Sequence, residues 1–388
     1  MKNVKNSQLT QWEATSLMVG AGVGAGIMAV PFLAESVGII GLAVILPIAW
    51  AASSIVHLML AEILFRTGQD LQIVELIHIY VLRGRFGKWL LWIIFTFLSV
   101  AFLANLAAYV SGAGEIVANL TGIDQRIAEF TVYIISASVV FFGLKAVGIA
   151  EKIGVVVLVT LVTIIVLGAI PLQPHVPFRA SGSATQWLAL YGMVMYALWT
   201  FYSVPQVVKG LGQDRRGAVR AILTGLGING ALTAAIALVA LGVSTEVTQI
   251  AIIGITEQMG SWVGIVGSAL VLFAFVTSYW SVSLALADII QERIGLSTKP
   301  AWLLATLPSL MILWVGVWQF LEWLRLAAGA TAIVVALITI PMYQKARQKG
   351  GVKDPGWTLG PWGSPAMLAL VLFLLILMGI GSLVSIGG

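Results

Sequence analysis

The chain has 388 residues, of which 60% are hydrophobic and only 10% are charged, and its formal net charge is +5. Soluble domains carry about 25% charged residues, so this composition excludes a soluble protein and indicates an integral membrane protein surrounded by lipid. The chain has no cysteine, which excludes disulfides and thiol chemistry, and we attribute its positive charge to basic cytoplasmic loops rather than to nucleic-acid binding.

Apolar runs of about 20 residues, the length that crosses a bilayer, recur along the chain and predict eleven transmembrane helices. The segment 67–88 is amphipathic with charged ends, and we predict a helix on the membrane surface there. The predicted spans cover residues 12–36, 40–65, 88–117, 127–144, 151–171, 185–210, 217–242, 262–293, 301–320, 324–343 and 364–386.

The Lys and Arg residues predict the orientation. With the N-terminus in the cytoplasm, all but three of the 21 basic residues fall in cytoplasmic segments, and the exceptions are Arg126, Arg179 and Arg325. A missed or extra span would destroy this alternation, so we expect a cytoplasmic N-terminus and an external C-terminus. We predict a multi-pass, monomeric protein of the cell inner membrane.

The first span contains the stretch VGAGVGAGIMAVPF, Val19 to Phe32, with four glycines followed by Pro31. Glycine costs roughly 1 kcal/mol and proline roughly 3 kcal/mol in a helix interior, so this stretch predicts a broken helix. The sixth span contains ALWTFYSVPQVVKGLG, Ala197 to Gly212, with Pro205 at the comparable place. Five spans separate the two breaks, and this odd number predicts that the second copy of a repeat is inverted in the membrane.

From the inverted repeat that these breaks indicate, we predict a single transmembrane domain over residues 1–388. It consists of a first repeat at 1–171, an inverted second repeat at 185–343 and an appended span at 364–386. Paired broken helices in inverted halves are typical of secondary transporters that bind substrate near the bilayer midplane.

A helix break frees backbone groups that the bilayer cannot satisfy, so they must face protein or a water-filled cavity. The helix after the break offers N–H groups and a positive dipole end to a carboxylate, and the end of the helix before it offers carbonyls to a cation. A zwitterionic amino acid matches both. The alternative is that the glycines form a helix-packing surface, because Gly20 and Gly24, and Gly22 and Gly26, have small-xxx-small spacing. We favour the binding break because of the matching break at Pro205.

Three stretches resemble the aromatic amino acid permeases and the related amino acid/auxin permeases of the amino acid-polyamine-organocation superfamily. GAGIMAVPF resembles their first-helix motif, of the form G-[AS]-G-[IM]-L-x-[LM]-P. AAYVSGAGEIV, Ala107 to Val117, resembles the third-helix AYISGGG stretch of the tyrosine and tryptophan permeases, and SVPQVVKGL, Ser203 to Leu211, resembles their sixth-helix segment.

The resemblance implies an all-α, leucine-transporter-type fold, with five-plus-five inverted repeats, broken helices 1 and 6 and an appended eleventh helix. It also implies symport of an amino acid with Na⁺ or H⁺. One departure bears on the substrate: the aromatic permeases carry a Phe-Gly-Phe-His-like stretch at the sixth-helix break, whereas WTFYSVP has no histidine. This departure weakens the aromatic assignment but not the amino acid class.

We predict that the N–H groups of Gly24, Ala25 and Gly26 bind the substrate carboxylate. Asn105 and Tyr109 share a face of the third span and are candidates for substrate contact or for interhelical hydrogen bonds. The apolar and aromatic walls predict a neutral, apolar or aromatic substrate. The amine is expected at carbonyls of Tyr196, Ala197, Leu198, Trp199 and Thr200, and the side-chain walls at Trp199, Phe201 and Tyr202.

The resemblance also implies a cation site between the broken first helix and the eighth span, since sodium-coupled inverted-repeat transporters bind Na⁺ there with carbonyls and two adjacent hydroxyls. Thr277 and Ser278 supply such hydroxyls, and their expected partners are the carbonyls of Gly20, Val23 and Ala274. The alternative is that both hydroxyls bond carbonyls of their own helix.

We predict Na⁺ as the coupling ion, because proton-coupled relatives place a lysine of the fifth helix in this space, and here Lys152 lies only near the cytoplasmic end of its span. H⁺ stays the alternative, and no other cofactor is expected.

Four carboxylates lie near span ends and are either gating pairs or solvated caps: Glu13, Glu62, Asp288 and Glu115. Glu13 in particular is expected to find a basic partner at another cytoplasmic end. The sequence has no Walker A, His-Glu-x-x-His or Gly-x-Ser-x-Gly motif, so we predict neither an enzyme nor a primary pump. It also shows no ring of equivalent pore-lining groups, which disfavours a channel. An amino acid sensor with the transporter fold stays an alternative.

Overall fold

The computed structural model describes residues 9–172, 178–248, 251–315, 335 and 338–383, and all regular elements in these ranges are helical. Short 3-10 helices lie at Ile170–Leu172, Phe201–Ser203 and Gly360–Gly363, and residues 338–349 are helical. The remaining helices are α1 (Gln11–Gly22), α2 (Ala25–Val37), α3 (Ile39–Thr67), α4 (Ile73–Tyr80), α5 (Gly84–Thr121), α6 (Gln125–Phe141), α7 (Leu144–Ala169), α8 (Ala184–Ala197), α9 (Val204–Leu211), α10 (Arg215–Val243), α11 (Ala251–Met259), α12 (Ser261–Ile294), α13 (Thr298–Val315) and α14 (Pro365–Leu383).

Most of these helices are transmembrane spans. Eight described segments are long and apolar enough to cross a membrane, and α1 with α2 makes a ninth that is bent by 53°. Helix α6, with 17 residues, corresponds to the fourth predicted span. The predicted spans at 301–320 and 324–343 lie partly outside the described residues. Large apolar side chains such as Ile135, Ile265 and Phe373 are exposed on the spans, where lipid would cover them.

Two short elements differ from the predictions. The predicted surface helix at 67–88 is only α4, since α5 already begins at Gly84 and extends the third span. Helix α11 was not predicted, because its nine residues are too few for a span and it packs on α10 and α12 instead.

The broken first helix lies inside the bundle. Helix α1 is buried from Glu13 to Gly22 and contacts α7, α10 and α12, whereas α2 contacts α8 and α10. The Leu9 N–H donates to the Gly210 carbonyl at 2.8 Å, which connects the start of α1 to the end of α9. Both halves of the broken helix therefore meet protein on several sides.

Three carboxylates at one end of the bundle are ion-paired rather than solvated caps. At this end α3 ends and α7 and α10 begin. Arg215 of α10 lies over the ring of Phe65 of α3 there, and we call this end the basic end. Glu115, in contrast, is exposed. The pairs are Glu13–Lys145 at 2.6 Å, Glu62–Arg66 at 2.7 Å and Asp288–Lys209 at 3.5 Å.

Glu62 has the most hydrogen bonds of the three. Its side chain is fully buried, and besides the Arg66 pair it accepts from the Tyr343 hydroxyl at 2.9 Å and from the Leu359 N–H at 2.8 Å. It therefore joins α3 to the helical segment 338–349 and to the loop before α14.

We expect Arg66→Met to lower the thermal unfolding temperature of the purified protein in detergent. Removing one member of a buried ion pair leaves a buried carboxylate, which costs about 3–5 kcal/mol. Arg126→Met, at an exposed position, is the control and should have little effect. Equal unfolding temperatures for the two variants would contradict the assigned role of the Glu62 pair.

Candidate functional site

The first helix breaks at Val23 and Gly24, between the end of α1 and the start of α2. Gly24 is extended, with φ −127° and ψ −151°, and precedes the first residue of α2. Pro31 lies well inside α2 and so does not form the break, whereas Pro205 lies at the start of α9, directly after the sixth-span break. The predicted break is confirmed, but the two prolines are not at equivalent places.

The break leaves carbonyls at the end of α1 that need donors. The last four carbonyls of an α-helix have no intrahelical N–H partner, and lipid offers none. In α1 each of them accepts a hydrogen bond of 3.2 Å or less: Val19 from the Val23 N–H, Gly22 from the Gly24 N–H, Gly20 from the Ser278 hydroxyl and Ala21 from the Tyr202 hydroxyl.

The four glycines of this stretch lie against four different helices. A Cβ atom at any of the four would come within 3.0 Å of a neighbouring atom; at Gly26 that atom belongs to the backbone, and at the other three it belongs to a side chain that would have to move. Close helix packing and the helix break therefore coexist in this segment. The neighbours are Glu151 of α7 for Gly20, Asn229 of α10 for Gly22, Ser278 of α12 for Gly24 and Ala197 of α8 for Gly26.

The sixth-span break between α8 and α9 is satisfied from the second span. The Leu198 carbonyl accepts from the Ser53 hydroxyl at 3.0 Å, and the Thr200 N–H donates to His57 Nε2 at 3.1 Å. A backbone N–H can only donate, so Nε2 is the unprotonated nitrogen of the imidazole. Nδ1 then carries the proton and donates to the Ser53 carbonyl at 2.6 Å.

His57 is a site residue that the sequence analysis missed. The sixth-span break has no histidine of its own, yet an imidazole from α3 reaches it. The available signal was the pair Ser53 and His57, two polar residues four positions apart and hence on one face of an apolar helix.

A cluster of polar and aromatic side chains lies beside the first break. The Tyr196 hydroxyl donates to Asn105 Oδ1 at 3.3 Å, and the Tyr109 phenol interacts with the side chains of Tyr196, Asn105 and Ser278. The same phenol oxygen would lie 3.4 Å from a Cβ at Gly24. The structure thus brings together the predicted substrate residues of the third and sixth spans with the break in the first.

Trp199 and Thr200 contact the second span rather than this cluster. The Trp199 ring stacks on Phe201, with centroids 5.5 Å apart, and meets the His57 ring edge-on at 5.8 Å. The Thr200 hydroxyl lies 3.1 Å from His57 Nε2. The buried Trp199 indole N–H has no acceptor among the described residues, so it is free to donate to a ligand.

Several of the predicted backbone contacts already have partners. The Gly24 N–H donates to the Gly22 carbonyl at 2.9 Å, so it already has a partner in this conformation, and its binding of a carboxylate stays a prediction. The N–H groups of Ala25 and Gly26 are in the first turn of α2, where no intrahelical acceptor exists, and they stay candidates.

The carbonyls predicted to bind the amine also differ among themselves. Three of them accept hydrogen bonds in the structure: Tyr196 from the Trp199 N–H, Leu198 from Ser53 and Thr200 from the Ser203 N–H. Ala197 and Trp199 are therefore the better candidates for an amine.

The predicted cation ligands lie on α1 and α12, and their oxygens take part in two separate sets of hydrogen bonds. The Ser278 hydroxyl lies 3.1 Å from the Gly20 carbonyl and 3.4 Å from the Val23 carbonyl. The Thr277 hydroxyl bonds its own helix, at 2.9 Å to the Phe273 carbonyl and 3.2 Å to the Ala274 carbonyl. Ser278 therefore connects the two helices, whereas Thr277 follows the alternative of bonding within its helix.

Glu151 lies against Gly20, one of the predicted cation ligands, and was also missed. It is fully buried, and it accepts from the Ser281 hydroxyl at 2.6 Å. Only its neighbour Lys152, which is partly exposed, was weighed from the sequence. The signal was the helical period: the buried positions of α7 include 151, 155, 158, 162, 165 and 169, which places Glu151 on the inward face.

We expect Gly24, at the break, and Gly26, in the first turn of α2, to respond differently to substitution. A Cβ at Gly26 would lie 2.9 Å from the Ala197 Cα atom, so Gly26→Leu should separate α2 from α8, abolish uptake of the predicted amino acid substrate and lower the unfolding temperature. A Cβ at Gly24 would meet the Ser278 hydroxyl at 2.8 Å, which can rotate, so Gly24→Ala should keep the fold and reduce uptake.

Uptake into proteoliposomes and thermal unfolding, measured on the same preparations, check these expectations. Near-normal uptake in the Gly26→Leu variant would show that the contact between the two breaks is dispensable.

Comparison with solved structures gives the fold. The chain is similar to MHP1, a nucleobase-cation-symport-1 family transporter, in a closed conformation with bromovinylhydantoin bound. The TM-score is 0.65 at 15% identity, over 96% of this chain and 90% of that chain. The predicted leucine-transporter-type fold, all-α with broken helices 1 and 6, is confirmed. No curated protein matches the chain in sequence.

The family follows from the sequence itself. Residues 8–382 match the tryptophan/tyrosine permease family, and this range covers the described helices except for the last residue of α14. The match confirms the resemblance seen in the first, third and sixth spans, and it indicates a transporter rather than an enzyme. The chain therefore belongs to the tryptophan/tyrosine permease family.

Proposed function

We propose that this permease is a secondary active symporter that moves a neutral, apolar or aromatic amino acid together with a cation, by alternating access. The observation that carries the proposal is the meeting of the two helix breaks, where Gly26 lies against Ala197. One break offers the first N–H groups of α2 to a carboxylate, and the other offers carbonyls to an amine.

The side chains around the breaks support a neutral substrate. No charged residue occurs in the stretches 19–32 or 196–205, so a charged substrate side chain would have no counter-charge there. Tyr109, Tyr196 and Tyr202 supply aromatic surface with polar tips, and the Trp199 N–H supplies a buried donor. The family name points to tryptophan and tyrosine as the first candidates to test.

We propose that the oxygens of Gly20, Val23, Ala274, Thr277 and Ser278 bind the coupling cation. Hard oxygen ligands without a formal charge suit a monovalent cation, and Na⁺ is our first choice, with H⁺ as the alternative. Ser278 carries most of the argument, because its hydroxyl lies between two carbonyls of the broken helix.

We further propose that the protein is a monomer in the cell membrane, with the basic end in the cytoplasm and the C-terminus outside. The support for this orientation is that most Lys and Arg residues lie in segments at the basic end, as expected for the cytoplasmic side.

Concentrative uptake into proteoliposomes under an ion gradient would separate a symporter from a sensor of the same fold, which binds amino acid without accumulating it.

We expect one or a few neutral amino acids to raise the unfolding temperature, because a ligand that binds only the native state stabilises it. Screening the twenty amino acids by thermal unfolding identifies them.

Tyr202→Ala and Trp199→Ala should then alter the ranking of substrates, since a methylene-sized change in fit is worth about 1–3 kcal/mol. If either variant lowers the uptake of all substrates equally, that residue is structural.

Replacing Na⁺ with choline at constant pH should abolish uptake by the wild type. Ser278→Ala should weaken Na⁺ activation strongly and Thr277→Val less so, because only Ser278 reaches the first helix. Ser283→Ala is the matched control, since Ser283 is buried on the same helix and bonds its own carbonyls. Full uptake in choline, driven by a pH gradient alone, would overturn the sodium assignment.

A further inference from the structure

One turn of the second span holds both sides of the sixth-span break. Ser53 and His57 are buried and lie four positions apart on α3. The Ser53 hydroxyl donates to the Leu198 carbonyl at 3.0 Å, and His57 Nε2 accepts from the Thr200 N–H at 3.1 Å. Between α8 and the 3-10 helix Phe201–Ser203, side chains of α3 therefore provide partners that a continuous helix would provide from its own backbone.

Both ring nitrogens of His57 are bonded to backbone groups. Nε2 has a single lone pair, which faces the Thr200 N–H, and the Nδ1 proton is donated to the Ser53 carbonyl at 2.6 Å. Neither nitrogen is available to a substrate in this arrangement. An effect of His57 on the substrate site must therefore act through the residues that the imidazole contacts.

Thr200, the residue that His57 holds, also lies against the first break. Its methyl carbon would be 3.0 Å from a Cβ at Gly22, the last residue of α1. Its hydroxyl lies 3.1 Å from His57 Nε2 and 4.0 Å from the Met18 sulfur. Thr200 is thus packed between α3 and α1, so its attachment to His57 determines how closely the two breaks approach.

The two chain neighbours of Thr200 contact the same imidazole ring. Trp199 meets it edge-on with centroids 5.8 Å apart, and Phe201 does so at 5.7 Å. These two rings stack on each other at 5.5 Å. The imidazole therefore fixes the orientation of the Trp199 indole, whose buried N–H has no acceptor among the described residues.

These contacts give His57 two ways to act on the substrate site. Building on the proposed transport function, we propose that His57 is a positioning residue of this site. Through Thr200 it fixes the spacing of the two breaks, and through Trp199 it determines which substrate side chains fit. The first action needs only a hydrogen-bond acceptor at the place of Nε2, whereas the second needs the ring.

His57→Gln and His57→Leu separate these two actions. A glutamine amide oxygen can take the place of Nε2 and accept from the Thr200 N–H, whereas leucine has no acceptor, and both substitutions remove the ring. His78→Gln is the matched control, since His78 lies on α4 and is partly exposed. The full chain is reconstituted in proteoliposomes, and uptake of radiolabelled tryptophan, tyrosine and leucine is measured at increasing concentrations. The unfolding temperature is measured on the same preparations.

His57→Leu should lower the unfolding temperature and raise KM about tenfold or more for every transported amino acid, because a buried N–H loses its acceptor. His57→Gln should recover the unfolding temperature and the maximal rate. It should still raise KM for at least one of the three amino acids by about threefold to tenfold, since Trp199 has lost an edge-to-face contact. His78→Gln should behave as wild type.

Several results would overturn the proposal. If His57→Leu lowers the unfolding temperature but leaves KM unchanged, His57 only stabilises the fold. If His57→Gln is as impaired as His57→Leu, the acceptor at Nε2 is not what matters, and if its KM values all equal those of wild type, the ring does not position Trp199.

A wild type that takes up none of the three amino acids would instead refute the proposed transport function. Thermal stabilisation by the same amino acids in detergent then still tests His57, because it measures binding alone. A ranking of stabilisation that changes in His57→Gln but not in His78→Gln would support the positioning role. An unchanged ranking, or a wild type that none of the three stabilises, would refute it.

Discussion

The structure depends on one constraint: the backbone groups freed by a helix that breaks inside a membrane must meet protein or a water-filled cavity, because lipid cannot satisfy them. At the first break the partners are side chains of the sixth and eighth spans, and at the sixth break they come from the second span. The elements that meet at the site are therefore held together by the hydrogen bonds that make the breaks tolerable. Stability and site geometry have a common origin here.

This common origin explains why one hydroxyl has two roles. Ser278 satisfies carbonyls of α1 in the structure, and the same oxygens are the proposed cation ligands. A bound cation would take over the interaction that the hydroxyl proton now makes. Tyr202 has a similar double role, because it satisfies the Ala21 carbonyl and also lines the proposed substrate site.

The sequence predicted the features that depend on composition and spacing. Hydropathy located the spans, and the glycines of the first span indicated a break, since both signals are local. Contacts between distant residues could not be derived in this way: nothing local assigns Lys145 to Glu13, or His57 to the Thr200 N–H. Glu151 was partly predictable. The helical period of α7 places it on the inward face, but only the packing of the other helices shows that its Oε2 has no partner among the described residues.

The bond between Leu9 and Gly210 has a mechanical consequence. It couples the start of α1 to the end of α9, while the contact of Gly26 with Ala197 couples α2 to α8. The four half-helices are thus connected in two pairs, one on each side of the breaks, and the breaks between them coincide with the proposed ligand site. A ligand that bridges the breaks would change the angle between the two pairs of half-helices. A small change of angle there would produce a larger displacement of the helix ends at the two ends of the bundle.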